Sequence, residues 1–408
     1  MEGRRESGDE RAADLKPKTL LSVPVALLAL ATFATFVGFQ LLLSVVPLYA
    51  GSDGGSSGAG LATAAFMLST VLTQIQMPRL IRRFGHRTAL MAGMLFLGMP
   101  AFFYPVAREL APILAVTLVR GVGFGIVTVV FAALVVELAP PGRRGEALGV
   151  FGVAIALPTV FCNALGVWLV NHSGYGIAFL AGGAAPLVGF VVALGLPGDP
   201  ARQGDEGRGA GFLEGLGRGP LLRLFLLFAT STSAAGVLVT FLPLAVPGSG
   251  LYSSATALLI FGLTSTASRW WAGRFGDRHN PHHLLTPGLL ASALGMAALP
   301  QGGPVLLCGA LLFGAGFGLL QSSTLMLTME RVADDERGLG SALWNVSFDA
   351  GTGVGALLFG FLIGESGFSI AFYLSSALLA ASLILVILDR APRDSDAGRQ
   401  EGDHPIPK

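Results

Sequence analysis

Charge is scarce in this sequence. Asp, Glu, Lys and Arg make up 12% of its 408 residues, about half the share of an ordinary soluble domain, too little to clothe a water-facing surface. The formal net charge is +1, and no long basic run is interleaved with aromatics, which excludes a nucleic-acid-binding surface. Cysteine is almost missing: Cys162 and Cys308 both lie in apolar runs and read as small core residues, not as a disulfide or metal pair. His279, His282 and His283 crowd one loop, but apart from Asp277 no ligand partner stands at suitable spacing, so they read as solvated and no metal or cofactor is expected. Paired catalytic carboxylates, a nucleophile elbow and a phosphate loop are also lacking. "GVGFG", Gly121 to Gly125, has no strand before it and reads as close helix packing instead of a dinucleotide fingerprint. An enzyme is not expected.

What the chain has is apolar length: 52% of residues are hydrophobic and the mean hydropathy is +0.68. Crossing a bilayer takes about 20 apolar residues as helix, and cutting at charges, prolines and Gly-Ser clusters leaves twelve such segments. They run from Leu20 to Tyr49, Ser57 to Met77, Thr88 to Val106, Ala111 to Val136, Glu146 to Val170, and Tyr175 to Leu196. The second set runs from Pro220 to Ala245, Ser253 to Trp271, Leu284 to Leu299, Pro304 to Thr328, Leu339 to Ile363, and Phe368 to Leu388. The first run is too long for a cleavable signal and reads as a retained span. All lysines and arginines except Arg108, Arg120 and Arg223 lie in the two tails, in the even-numbered loops or beside them. Positive charge in short loops stays cytoplasmic, so both termini are expected in the cytoplasm of a cell whose cytoplasmic membrane holds the chain.

The expected fold is an all-α membrane protein of twelve transmembrane helices in two pseudo-symmetric six-helix bundles. Residues 1–19 are a tail, 20–197 the first bundle, 198–219 a Gly-rich charged linker without helical or strand period, 220–389 the second bundle and 390–408 a second tail. The halves repeat: "GVGFG" at 121 returns as "GAGFG" at 314, and at that offset Glu137 falls on Glu330, Arg144 on Arg337 and Gly145 on Gly338. Repeated six-span halves are a mark of secondary transporters, whose site lies near the midplane between the repeats.

Two basic stretches, "PRLIRRFGHR" from Pro78 and "GRFGDR" from Gly273, sit in equivalent loops. With the twelve spans they resemble the major facilitator superfamily over nearly the whole chain. That family's loop motif between spans two and three runs Gly, any, Leu, Ala, Asp, Arg, any, Gly, Arg, Arg. The first copy fits at Leu80, Arg83, Gly85 and Arg87, with Pro78 and Arg82 in place of the Gly and Asp; the second fits at Gly273, Asp277 and Arg278. This alignment pairs Leu80 with Phe275 and Arg82 with Asp277, an offset of 195, although the eye prefers 191. The resemblance implies a latch in which the loop Asp caps a helix N-terminus and its Arg reaches nearby carboxylates or carbonyls, closing the cytoplasmic side when the outer side is open. Arg79 and Arg82 can equally be topology charges. Arg269, near the cytoplasmic end of span eight, is a gate residue. Span five has the antiporter glycines at Gly149 and Gly166, but Cys162 and Asn163 stand where that pattern has Gly-Pro, with Pro158 earlier. Span four has Thr117 where the drug-exporting branch has Arg, and Arg120 one turn on.

An ionisable residue at membrane depth is costly and marks function by default. Arg120 and Asp349 both lie about ten residues into their spans, in different halves and with opposite charge. We expect Asp349 to be the proton-coupling carboxyl and Arg120 to contact substrate, the two either approaching across a central cavity or being neutralised separately. Asn345 shares a helical face with Asp349; with Gln40, Asn163 and Gln321 it completes the substrate-binding candidates, interhelical hydrogen bonding being the alternative for the buried amides. The expected function is alternating-access transport of a small organic molecule, by resemblance proton-coupled efflux of an apolar or weakly polar drug, antibiotic or metabolite. The alternative is uptake of a nutrient or organic anion, with Arg120 taking a carboxylate. A non-transporting sensor or membrane enzyme is the remaining class. The expected partners are a small-molecule substrate, a proton and the lipid bilayer, and a monomer suffices.

Overall fold

A computed structural model describes residues 22–139, 143–198, 212–333 and 336–389. The expected tails and residues 199–211 of the linker lie outside the described residues. Among the described residues there is no strand, and twelve long helices follow one another. They are α1 Val23–Ser52, α2 Gly54–Phe84, α3 His86–Val106, α4 Leu110–Leu138, α5 Gly145–Ser173 and α6 Tyr175–Ala193. The second half holds α7 Gly219–Ala245, α8 Ser254–Gly276, α9 Pro281–Gln301, α10 Gly303–Glu330, α11 Arg337–Gly364 and α12 Phe368–Asp389. Eleven are long and apolar enough to cross a membrane. The exception is α8, whose Arg269, Arg274 and run of serines and threonines dilute its hydropathy; it packs closely on α10 and α5.

Consecutive helices are joined by turns so short that glycine has to make them. Gly85 (φ 81°) alone separates α2 from α3, and Gly174 (φ 80°) and Gly367 (φ 78°) make the α5–α6 and α11–α12 turns. A residue with a Cβ resists that half of backbone space. Helices also outrun their apolar stretches: α2 continues seven residues past Met77 through Pro78 and the arginines to Phe84. Within the expected linker, Phe212–Gly217 is a short helix, which corrects the expectation of no regular structure there. Its cause is tertiary: Phe212 and Leu216 pack on Leu221, Leu339 and Leu343, and Arg218 grips Glu336 with two hydrogen bonds of 2.5 and 2.7 Å.

Helices in lipid gain little from burying apolar surface against one another, so close packing between small residues does more of the work. The two halves solve this alike. A Cβ on Gly121 of α4 would meet Ser69 and the Phe66 carbonyl of α2; on Gly314 of α10 it would meet Thr264 and the Phe261 carbonyl of α8. Gly125 likewise meets Thr70 and Thr73, and Gly318 meets Ser265 and Ser268. Phe66 and Phe124 have ring centroids 5.6 Å apart at 40°, and Phe261 and Phe317 5.7 Å apart at 44°. The α4 and α10 positions differ by 193 and the α2 and α8 positions by 195, so Arg82 does correspond to Asp277, as the motif alignment requires.

Candidate coupling site and substrate pathway

The turns α2–α3 and α8–α9 lie at one end of the molecule, here termed the basic end. At the opposite end the halves are sealed. Gly60 of α2 and Gly360 of α11 approach so closely that a Cβ on Gly60 would stand 3.0 Å from Gly360 Cα and collide with the Ala356 carbonyl. Thr63 and Thr240 share a hydrogen bond of 2.9 Å between α2 and α7, and Asn171 donates to the Gly248 carbonyl at 3.0 Å. Deeper in, Gly262 of α8 lies against Val160 of α5, and Gly353 of α11 against Met67 of α2. The α2–α11 seam ends in a polar contact: Gln74 Nε2 donates to Asp349 Oδ2 at 2.9 Å. One turn nearer the basic end, Asn345 is exposed and bonds to Ser341 of its own helix, and Gly145, Gly149 and Gly152 of α5 have open space where a Cβ would be. The halves are therefore joined at one end and parted at the other.

Asp349 is 6% exposed. Its partner Gln74 also donates to Thr128 of α4 at 3.4 Å, while Gln74 Oε1 is buried without a partner. Arg120 is 2% exposed. Its Nε donates to the Leu97 carbonyl at 3.1 Å and its Nη1 to the Tyr104 hydroxyl at 3.4 Å. The rings of Phe66 and Tyr104 lie 5.8 and 5.7 Å from its guanidinium carbon, a distance at which a cation is attracted to the ring face. Of the two alternatives, separate neutralisation is what the structure has: Arg120 lies beside Phe66 and Asp349 beside Gln74, about two turns apart along α2.

Gln40 and Asn163 come together in a network of their own. Asn163 Nδ2 donates to Gln40 Oε1 at 3.0 Å, Gln40 Nε2 to Thr159 at 2.8 Å, and Ser44 to Asn163 Oδ1 at 3.2 Å. This ties α1 to α5 and makes the interhelical alternative the account of both amides. Gln321 is half-buried on α10, away from these networks.

At the basic end, the following polar contacts between described residues each lie within one half. Arg87 donates to the Leu194 carbonyl at 2.7 Å, and His86 lies 3.6 Å from Glu137. Arg83 stacks on its neighbour Phe84. Asp277 and Arg278 are exposed and Gly273 is half-buried; the Asp277 backbone N–H donates to the Gly273 carbonyl at 3.1 Å, and among the described residues no hydrogen bond or ion pair engages its carboxylate. Arg269 is exposed one turn before Gly273. A latch that closes this end has nothing to grip while the halves are apart here.

Sequence reasoning missed Gln74 and Tyr104. Gln74 stands three residues before the expected end of span two, where the sequence alone gives it no role. The true length of α2 puts it at depth. Tyr104 stood next to Pro105 at a span end, and no spacing rule links it to Arg120.

One chain whose two repeated six-helix halves, among the described residues, seal against each other at one end, with a carboxyl buried on the seam, is built as a membrane transporter. It belongs to the Major Facilitator Superfamily, whose pattern matches residues 28–333 and 271–408. The uncharacterized MFS-type transporter YtbD of Bacillus subtilis (strain 168) is 23% identical over 389 residues, covering 92% of this chain and 97% of that one. Multidrug resistance protein 1 of the same organism is 20% identical over 391 residues, covering 91% and 97%. Among solved structures, a mutant form of the nucleoside transporter NupG superposes with a TM-score of 0.76 at 12% identity, covering 90% of this chain and 100% of that one.

Proposed function

We propose that this protein is a proton-coupled exporter of small organic compounds with an apolar or weakly polar body, working by alternating access in the cytoplasmic membrane with both termini inside. On this reading the basic end faces the cytoplasm and the structure is the inward-open state. One copy contains the whole pathway. The observation that carries the coupling is the Gln74–Asp349 hydrogen bond, which places a buried carboxyl at the last contact between the halves. A proton drives a conformational change only if its affinity differs between the states. A charged carboxylate accepts the Gln74 N–H; a neutral carboxyl has its own proton to place, and the seam is where the two states differ. The low fixed charge of the pathway fits an apolar substrate, and likeness to a protein named for multidrug resistance supports export of drug-like compounds.

The test begins with a growth-inhibition panel of candidate compounds with and without the protein, to find one that is carried. Wild type and Asp349→Asn are then compared in proteoliposomes under an imposed pH gradient. The expected result is that Asp349→Asn loses uphill, pH-driven flux and keeps downhill exchange. Unchanged flux and pH response in that variant would refute the coupling role.

A further inference from the structure

The charge on Arg120 has no answer inside the protein. A guanidinium keeps its proton under all conditions a protein meets, and an unpaired ion at depth is strongly disfavoured. Yet Arg120 Nη2 is buried without a hydrogen-bond partner, and among the described residues no carboxylate pairs with this side chain. The repeat shows what scaffold packing alone requires at this place: the equivalent position in α10 is Phe313, fully buried.

Arg120 borders a cavity of about 20 Å³ whose walls include Leu43, Pro47, Ala62, Thr63 and Thr117. Space for one small group needs about 10–15 Å³ by this measure, so the cavity takes one or two heavy atoms, the oxygen end of a carboxylate, and not a whole substrate or a phosphate with four oxygens. Apart from Arg120 and the two threonines the walls are apolar. Towards the basic end the cavity is followed by four phenylalanines: Phe39 stacks on Phe124 at 3.7 Å between centroids and on Phe66 at 5.6 Å, with Phe36 edge-on to Phe39 and Phe124. A cation at the cavity wall and aromatic side chains beside it, Phe39 and Phe66 lining the cavity themselves, are complementary to one kind of molecule.

We propose that the Arg120 cavity binds a single anionic group of carboxylate size, and that the compounds carried are lipophilic monocarboxylates whose apolar body lies against the phenylalanine cluster. The substrate part rests on the transport reading above; the anion site itself does not depend on Asp349.

The full-length protein is purified in detergent and titrated with a matched pair, 1-naphthoate and its neutral isostere 1-naphthamide, with acetate as a separate arm. Charge-assisted hydrogen bonding in a dry site predicts about tenfold or greater preference for the acid in wild type. That preference is lost in Arg120→Gln and partly kept in Arg120→Lys. Ala62→Val, which fills the cavity and leaves Arg120 in place, also loses it, and decides the matter if Arg120→Gln does not fold. Competition by acetate assigns the site to a free carboxylate as well; binding of naphthoate alone assigns it to carboxylates with an apolar body. Asp349→Asn keeps the acid preference even if it loses pH-driven flux, so failure of the coupling reading is separate. Equal affinity for acid and amide in wild type, or a preference undiminished in both Arg120→Gln and Ala62→Val, overturns the proposal.

Discussion

The seal at Gly60 and Gly360 is a place where one side chain can reset the balance between states. Any Cβ at Gly60 collides with the Ala356 carbonyl and presses on Gly360 Cα. Overpacking a tight contact costs about 1–3 kcal/mol, and only the conformation in which α2 and α11 touch at this end bears that cost. Gly60→Leu should therefore move the equilibrium away from the sealed state by a factor of about 5–150. A population sealed in about nine molecules of ten would fall to about two in three at the lower bound and about one in eighteen at the upper. The assay is pulsed dipolar spectroscopy between spin labels at positions 82 and 277, both exposed at the basic end, after Cys162→Ser and Cys308→Ser. Labels far apart in wild type should gain a short-distance component in Gly60→Leu as the basic end closes. Gly176→Leu is the control, since nothing lies within 4 Å of a Cβ there. A folded Gly60→Leu with the wild-type distance distribution, or an equal shift in Gly176→Leu, would refute the reasoning.

Gln74→Leu should leave Asp349 buried without its donor, remove the polar contact of α2 with α11 and weaken pH-driven uphill flux in proteoliposomes while downhill exchange is kept. Asp389, 4% exposed, is held by Arg331 at 2.6 Å, Arg223 at 3.2 Å and His282 at 3.4 Å. Asp389→Ala strands those cations and should destabilise the second half by about 3–5 kcal/mol, read as a lower unfolding temperature in detergent. The Arg218 guanidinium holds the Glu336 carboxyl below the usual range. Its grip on the short helix is therefore present above the ordinary glutamate value of about 4.3 and lost as pH falls through the depressed one. Hydrogen exchange over residues 212–217 should rise across that window in wild type and be high at every pH in Glu336→Gln.

The helix count was legible because hydropathy and loop charge report the same thing independently, and charge rescued α8, which hydropathy alone under-reads. Helix ends were not legible. The backbone of α2 goes on hydrogen-bonding past the apolar stretch, so a transfer scale stops at Met77 while the helix stops at Gly85. That error of about two turns hid Gln74, the residue that binds Asp349. Phe212–Gly217 was hidden for another reason: six residues carry little intrinsic helix stability, and what orders them comes from Leu339, Leu343 and Glu336, more than a hundred positions away. That Arg120 and Asp349 are buried within their helices was legible; that they lie about two turns apart along α2 was not. Nor was their azimuth, since spacing along one helix says nothing about which neighbour a residue faces.

The repeat makes the remaining inference sharper than burial alone could. Where the halves share a packing problem, they share its solution: glycine on α4 and α10, a phenylalanine pair at matching angles, a glycine turn after α5 and α11. Such positions answer to the scaffold. At the offset of the repeat, Arg120 falls opposite Phe313 and Asp349 opposite Ala156. The same fold is thus built once with these charges and once without them, so packing does not require either. Two ionisable groups that the scaffold does not need, each costly at depth, persist about two turns apart along α2, one on the inter-half seam and one beside a cavity. A symmetric frame gives the two conformations comparable stability. The asymmetric charges are what can make a proton and an anionic substrate prefer one over the other, and differential affinity is the means by which either can drive the cycle.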